Sequence, residues 1–216
     1  VKPKAYTPRP YFIENDWSGA SYWYEMVALS GDCDATVQLA GLADGSKQGD
    51  SVVKYIFSLL GVKTVFEHQK DGTLQKVTLK KSGRRLPRLE YDFAGSPDLA
   101  QTVVVTCCLL GVRFHLRGLS TLKIKETDRI EALKVELRKL GFVLQDVGGS
   151  QLIWDGTRCE PSAAAIDTYD DHRMALAFAP ASMKHPITIN NPQVVTKSYP
   201  KFWDDLRQAG FTVTEI

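Results

Sequence analysis

Five places in this sequence put residues that can hold anions or move protons beside the start of a predicted helix. The densest is Lys125-Glu126-Thr127-Asp128-Arg129, where four charged residues fall within five positions. Lys125 and Arg129 are spaced i, i+4 and Glu126 and Arg129 i, i+3, so a helix through all three would gather them on one side. Two cations and a carboxylate there, beside unpaired N–H groups, would suit an anionic substrate. The second place is Asp170-Asp171-His172-Arg173-Met174; an Asp can cap the helix, but Arg173 calls for an anion or a carboxylate partner. The others are Lys197 in Val195-Thr196-Lys197-Ser198-Tyr199-Pro200, Asp98 in Pro97-Asp98-Leu99, and Gln48-Gly49-Asp50. Each has an ordinary explanation too: a solvated first turn, a solvated lysine, an aspartate stabilised by the helix dipole, and a turn that caps a helix.

The elements that must position these residues follow from periodicity. Ile130, Leu133, Leu137 and Leu140 form one apolar stripe of a helix that stops at Gly141, with Arg138 and Lys139 at its negative end. Other helices are predicted from Asp16 to Leu29, Gln48 to Leu60, Pro97 to Leu110, Asp171 to Ala181 and Tyr199 to Ala209. Strands are predicted at Tyr11–Ile13, Ala35–Leu39, Val62–Glu67, Leu74–Leu79, Tyr91–Phe93, Val112–Leu116, Phe142–Gln145, Gln151–Trp154, Ile187–Ile189 and Phe211–Val213. Lys70-Asp71-Gly72 is the expected turn of one hairpin, and Lys197 is expected between a strand and a helix.

The second helices carry an echo. Leu60-Gly61-Val62, Leu140-Gly141-Phe142 and Ala209-Gly210-Phe211 place a glycine at the same junction, 80 (141−61) and 69 (210−141) residues apart. This spacing suggests three copies of a small α/β unit, the last without its closing strand pair; chance recurrence of a common junction is the alternative.

Composition narrows the class. A chain of 216 residues with 44% hydrophobic residues can bury a real core. A net charge of +2 gives no reason to expect nucleic acid as a partner. The apolar run from Val103 to Val112 ends at Arg113, too short for a membrane span. Cys33 and Cys159 stand alone and Cys107 and Cys108 adjoin in a helix, so reduced thiols in a cytoplasmic protein are expected, without a metal site. The start, Val1-Lys2-Pro3-Lys4, carries neither an initiator Met nor a secretory signal and suggests an excised segment.

Lys125–Arg129 resembles the Lys-Glu-Ser/Thr-Asp-Arg signature of the 5-enolpyruvylshikimate-3-phosphate (EPSP) synthase family. Tyr169–Ala175 is similar to the family's Tyr-Asn/Asp-Asp-His-Arg-Met-Ala run, and Thr196–Pro200 to its Thr/Ala-Lys-Ser/Thr-Tyr/Phe-Pro segment. Asp98 stands in the family's Pro-Asp context, and the matches keep the family's order from about Tyr11 to Pro200. The resemblance implies an α/β (α+β) enolpyruvyl-transferase domain of repeated βαβαββ units in pseudo-threefold arrangement, the third incomplete. Residues 1–10 would be an extended lead-in and 11–216 one domain, with units at about 11–85, 86–160 and 161–216. The N-terminal half of such an enzyme would be absent, and that half would complete the third unit.

The implied reaction moves the enolpyruvyl group of phosphoenolpyruvate to the 5-hydroxyl of shikimate 3-phosphate and releases phosphate, by addition and then elimination, without cofactor or metal. Catalytic roles would fall to Asp98 as the base on the hydroxyl, with Glu126 and Lys197 sharing proton transfer at the methylene carbon. Arg129, His172, Arg173 and Lys197 would hold phosphoenolpyruvate, and Asp98, Thr121 and Lys125 shikimate 3-phosphate. The sequence departs from the family at Thr121, where Asn is common, and at Asn15–Ala20, where Gly-Asp-x-Ser-Ser-Ala is common. The family's N-terminal substrate segments are not in this chain, so the chain alone is expected to fold without turnover, and the whole enzyme is expected to work as a monomer. Two other readings remain: the related transferase acting on UDP-N-acetylglucosamine, and a non-catalytic α/β binding module.

Overall fold

The structure is a computed structural model that describes residues 3–10, 13–67 and 76–215. Asp16 caps the first helix, α1 (Trp17–Leu29), its carboxylate accepting the N–H groups of Ser18 and Gly19 at 3.0 Å each. This helix is buried on nearly all sides, as its apolar sequence requires. β1 (Thr36–Leu39) follows, then a 3-10 turn at Gly49–Val52 leading into α2 (Val53–Leu59), β2 (Val62–Glu67) and β3 (Lys76–Lys81). The three strands form an antiparallel sheet in the order β1-β3-β2.

The same plan then recurs. β4 (Arg88–Asp92), a 3-10 turn at Pro97–Leu99, α3 (Ala100–Leu110), β5 (Arg113–Arg117), α4 (Arg129–Lys139), β6 (Gln145–Val147) and β7 (Gln151–Trp154) make a sheet in the order β4-β5-β7-β6. The order β5-β7-β6 repeats β1-β3-β2 in chain sequence, and β4 adds a parallel edge beside β5. A third pass gives α5 (His172–Phe178) and α6 (Phe202–Gln208), with strand pairing reduced to one parallel bridge between Ile166 and Ile189. That bridge occupies the place of the β4–β5 pairing. Gly61, Gly141 and Gly210, at the end of each outer helix, all take positive φ, 94°, 87° and 95°. The repeat is therefore present in connectivity as well as in sequence.

Several boundaries differ from those expected. The predicted helix Asp171–Ala181 changes to a 3-10 turn at Ala179, because Pro180 has no N–H to continue an α-helix. The segment Phe211–Val213 forms no strand and Ile187–Ile189 only the single bridge, since a strand without neighbours cannot satisfy its backbone. The second helix opens with a 3-10 turn, the last begins at Phe202, and the strand after α4 begins at Gln145, with Phe142 held in a single antiparallel bridge to Arg158. The expected hairpin turn at Lys70–Gly72 lies outside the described residues, as do Tyr11 and Phe12; Ile13 is exposed and in no strand.

α1, α3 and α5 pack side by side as the inner layer, with the sheets and the other helices around them. Ser21 of α1 lies 3.1 Å from Thr102 of α3, hydroxyl to hydroxyl, just inside the helix starts. Asp16, Asp98 and Asp171, which precede or open these helices, consequently lie toward one end of the layer.

Candidate active site

At that end the charged residues predicted from sequence meet, and Arg129 is their centre. Its guanidinium donates from Nε to Asp171 Oδ2 at 2.6 Å, from Nη2 to Asp171 Oδ1 at 3.2 Å and to Glu126 Oε2 at 2.7 Å, and from Nη1 to Asp98 Oδ1 at 3.2 Å. The arginine side chain is 1% exposed and Asp171 not at all. The helix places it there because Asp128 is the N-cap, its carboxylate accepting the Glu131 N–H at 3.1 Å, which makes Arg129 the first helical residue.

This corrects the shared helix face expected of Lys125, Glu126 and Arg129. Lys125 and Glu126 precede the helix, on the connection from a 3-10 turn at Ser120–Ile124. Lys125 joins the cluster by another route, its Nζ lying 3.5 Å from Asp98 Oδ1. The connection starts at Gly118, whose φ of 71° suits glycine and whose hydrogen faces Ala94 N, where a Cβ would come within 2.4 Å. Gly118 thereby seats this segment against the loop that leads to Asp98.

Asp98 is the second hub. Arg173 Nη2 donates to its Oδ2 at 3.0 Å and Arg173 Nη1 to its backbone carbonyl at 3.1 Å. Lys125, Arg129 and Arg173 thus all bear on one partly exposed carboxylate. On the other side of Arg129, Lys197 Nζ donates to Glu126 Oε1 at 2.6 Å. That hydrogen bond pulls the Glu126 carboxyl down to about 2, with Arg129 adding to it against the opposing effect of burial. Lys197 is not between a strand and a helix as expected; it ends a 3-10 turn, Pro192–Lys197. Four cations (Lys125, Arg129, Arg173, Lys197) here form ion pairs with three carboxylates (Asp98, Glu126, Asp171). Lys197 is the most accessible of the four, 59% exposed.

His172 lies beside the network, buried, with Nδ1 free of any hydrogen bond; burial, then Arg173, lower its pKa and favour the neutral imidazole. Thr121 is exposed on the 3-10 turn and makes no hydrogen bond or ion pair to the cluster among the described residues. Two participants were missed by sequence reasoning. Asp171 caps its helix as its residue type suggests, accepting the Arg173 N–H at 2.9 Å, and it also grips Arg129 with both oxygens. The expected turn at Gln48-Gly49-Asp50 forms, as a 3-10 turn without a side-chain cap, and Asp50 accepts a hydrogen bond from the Ser18 hydroxyl, its pKa raised by burial. Crowding of Asp16, Asp50 and Asp98 around Arg173 is the signal that three separate helix-start aspartates could have given.

Three carboxylates on one buried guanidinium, two of them partly exposed beside lysines, make a cluster that can bind an anion and exchange protons with it. Residues 1–206 match the family model described as EPSP synthase (3-phosphoshikimate 1-carboxyvinyltransferase). The chain belongs to the EPSP synthase family. A 3-phosphoshikimate 1-carboxyvinyltransferase of Bacteroides fragilis is 53% identical over 215 residues, covering 99% of this chain and 50% of that protein. One from Methanobrevibacter smithii is 30% identical over 211 residues, with 97% and 45% covered. The fold is also that of a solved EPSP synthase from Acinetobacter baumannii, at TM-score 0.70 and 22% identity, covering 93% of this chain and 47% of that one. The chain spans about half the length of the EPSP synthase relatives it matches. No helix among the described residues is long and apolar enough to cross a membrane.

Proposed function

We propose that this site, within a full-length chain, transfers the enolpyruvyl group of phosphoenolpyruvate to the 5-hydroxyl of shikimate 3-phosphate. The observation that carries the reading is the Arg129 fork, which holds Asp98 on one nitrogen and Glu126 on another. A base and a proton site thereby flank one cation, as addition across a double bond requires. Asp98 takes the proton of the attacking hydroxyl as its oxygen bonds to the substituted carbon of phosphoenolpyruvate. The methylene carbon takes a proton at the same stage and becomes a methyl group. In the elimination that follows, the methyl loses a proton and the phosphate leaves with the C–O bonding pair.

In this reading Lys197 delivers the first proton, its Nζ lying 2.6 Å from Glu126 Oε1. Glu126, held near 2 by Lys197 and Arg129, is ionised at neutral pH and suited to act as the base in the elimination. Arg173, Arg129 and Lys197 hold the carboxylate and phosphate of phosphoenolpyruvate, the arginines by bidentate geometry. Arg129 can do so only as Glu126 or Asp98 turns toward substrate, because its donors are engaged by carboxylates. His172 lines the phosphoenolpyruvate side, and Lys125 and Thr121 face the phosphate or a hydroxyl of shikimate 3-phosphate. The remainder of the chain completes the third repeat and supplies the other face of the site. The enzyme works as a cytoplasmic monomer, and residues 1–216 alone do not turn over.

Phosphate release by the full-length chain, with shikimate 3-phosphate and UDP-N-acetylglucosamine offered separately, tests this. Release with the first acceptor only, lost in Lys197→Ala, is expected. Release with the second only would assign the chain to cell-wall chemistry, and release with neither would make it a binding module.

A further inference from the structure

Tyr169, Asp170 and Asn191 are the residues other than glycine with positive φ among those described, at 55°, 55° and 51°. The left-handed region is unfavourable for a tyrosine in particular, and such backbone persists where neighbours over-determine it. All three lie in two loops that touch. The loops are joined by backbone hydrogen bonds from Ile166 N–H to Thr188 O at 2.9 Å and from Asn190 N–H to Ile166 O at 2.8 Å. Side chains add two ties between them: Asn190 Nδ2 donates to Asp167 Oδ1, and Asn191 Nδ2 to Asp170 Oδ1, each at 2.7 Å.

A third tie fixes the pair to α4. Glu136, fully buried, accepts the Tyr169 hydroxyl at 2.6 Å and the Asp167 N–H at 3.0 Å, and Lys139 pairs with it at 2.8 Å. Lys139 also reaches the Asp167 carboxylate and the Ala165 carbonyl, both at 2.8 Å. The first loop runs directly into Asp171-His172-Arg173, and the second into the 3-10 turn that ends at Lys197. Arg173 and Lys197 lie on different elements, and the Asp170–Asn191 bond links the loop that enters α5 to the residue that opens the Pro192–Lys197 turn.

We propose that the Asp170–Asn191 hydrogen bond, on a loop anchored by the Glu136–Tyr169 contact, is a positioning device that sets Lys197 relative to Arg173. Neither residue touches the cluster itself. The bond is exposed, so losing it removes little buried contact, while its geometric effect falls on two side chains that the proposed function assigns to phosphoenolpyruvate. The inference rests on that assignment for its catalytic consequence, though not for its structural one.

The test uses the full-length chain with Asn191→Asp, which sets two carboxylates against each other, and with the swap Asp170→Asn plus Asn191→Asp, which restores a donor and an acceptor. Asn191→Gly serves as a second variant, since glycine accepts the positive φ while removing the tie. Phosphate release gives KM for phosphoenolpyruvate and kcat; hydrogen exchange follows the Ser198 and Tyr199 amides, which donate to Val195 O at 3.1 and 2.8 Å. Misplacing a binding group by about an ångström can cost on the order of a hundredfold. Asn191→Asp is therefore expected to lower kcat/KM by roughly tenfold to a hundredfold, chiefly through KM, with faster amide exchange at 198 and 199 and nearly unchanged Tm. Asn191→Gly should move in the same direction, and the swap should recover most of the loss. Wild-type kcat/KM and exchange in Asn191→Asp and Asn191→Gly, or no recovery in the swap, would overturn the proposal. A wild-type chain that releases no phosphate, yet shows the exchange changes and their recovery, leaves the positioning tie standing and removes the catalytic assignment.

Discussion

Replacing Arg129 with alanine would remove four hydrogen bonds to three carboxylates and leave Asp171, which is 0% exposed, as a buried charge without its partner. The Arg173 N–H would remain to Asp171, but a single backbone donor does not replace a bidentate guanidinium. Breaking a buried ion pair from one side costs about 3–5 kcal/mol. Each kcal/mol lowers the midpoint of a domain of this size by about 2–4 °C, so Tm should fall by roughly 6–20 °C. Thermal and urea denaturation of wild type, Arg129→Ala, Asp171→Asn and the double variant provides the assay. The double variant should be more stable than Arg129→Ala alone, because its buried aspartate has lost the charge that needed a partner. A fall below about 3 °C in Arg129→Ala, or a double variant with additive losses, would refute a buried ion pair at this centre. The result also bears on activity assays: loss of turnover in Arg129→Ala reports folding and binding together, whereas exposed Lys197 separates them.

Two carboxylates should respond to pH with opposite sign. Folding lowers the Glu126 pKa from 4.5 to about 2, so its contribution is full above pH 5 and disappears as pH falls through that interval. Solvent screening of this partly exposed pair leaves only part of that drop as stability, about 1 kcal/mol, and the stability gap between wild type and Glu126→Gln should close between pH 5 and 2; a gap constant with pH would contradict the Lys197 and Arg129 pairing. Burial raises the Asp50 pKa, so its charged form opposes folding at neutral pH and not at acid pH. Asp50→Asn should therefore raise Tm at pH 7 and lose that advantage below the ordinary aspartate range, and equal effects at both pH values would count against it. Gly118→Ala should cost about 1–3 kcal/mol from backbone strain, besides the clash with Ala94 N, and the loss should appear in urea unfolding.

The sequence made much of this arrangement legible because the site is built from helix starts, where capping and charge are readable locally. Asp16 and Asp171 cap their helices as their residue types suggest, and the glycine after each outer helix marks the repeat. Asp128 with Glu131 three residues on was also a readable N-terminus, and reading it would have moved Lys125 and Glu126 off the helix. What local reading could not supply was pairing at a distance. Arg129 and Asp171 are 42 residues apart, and nothing near either one announces the other. The third repeat misled for a related reason: Phe211–Val213 has a strand's residue types, but strands form only against neighbours, and here there are none among the described residues.

In the proposed reaction a proton enters the methylene carbon of phosphoenolpyruvate and a proton leaves the resulting methyl group. Running the full-length chain in deuterium oxide with phosphoenolpyruvate and shikimate 3-phosphate, and reading the enolpyruvyl methylene of the product by NMR, tests it directly. Addition followed by elimination predicts deuterium in that methylene, dependent on shikimate 3-phosphate and strongly slowed in Lys197→Ala. Product formed at the normal rate with no deuterium in the methylene would contradict the account.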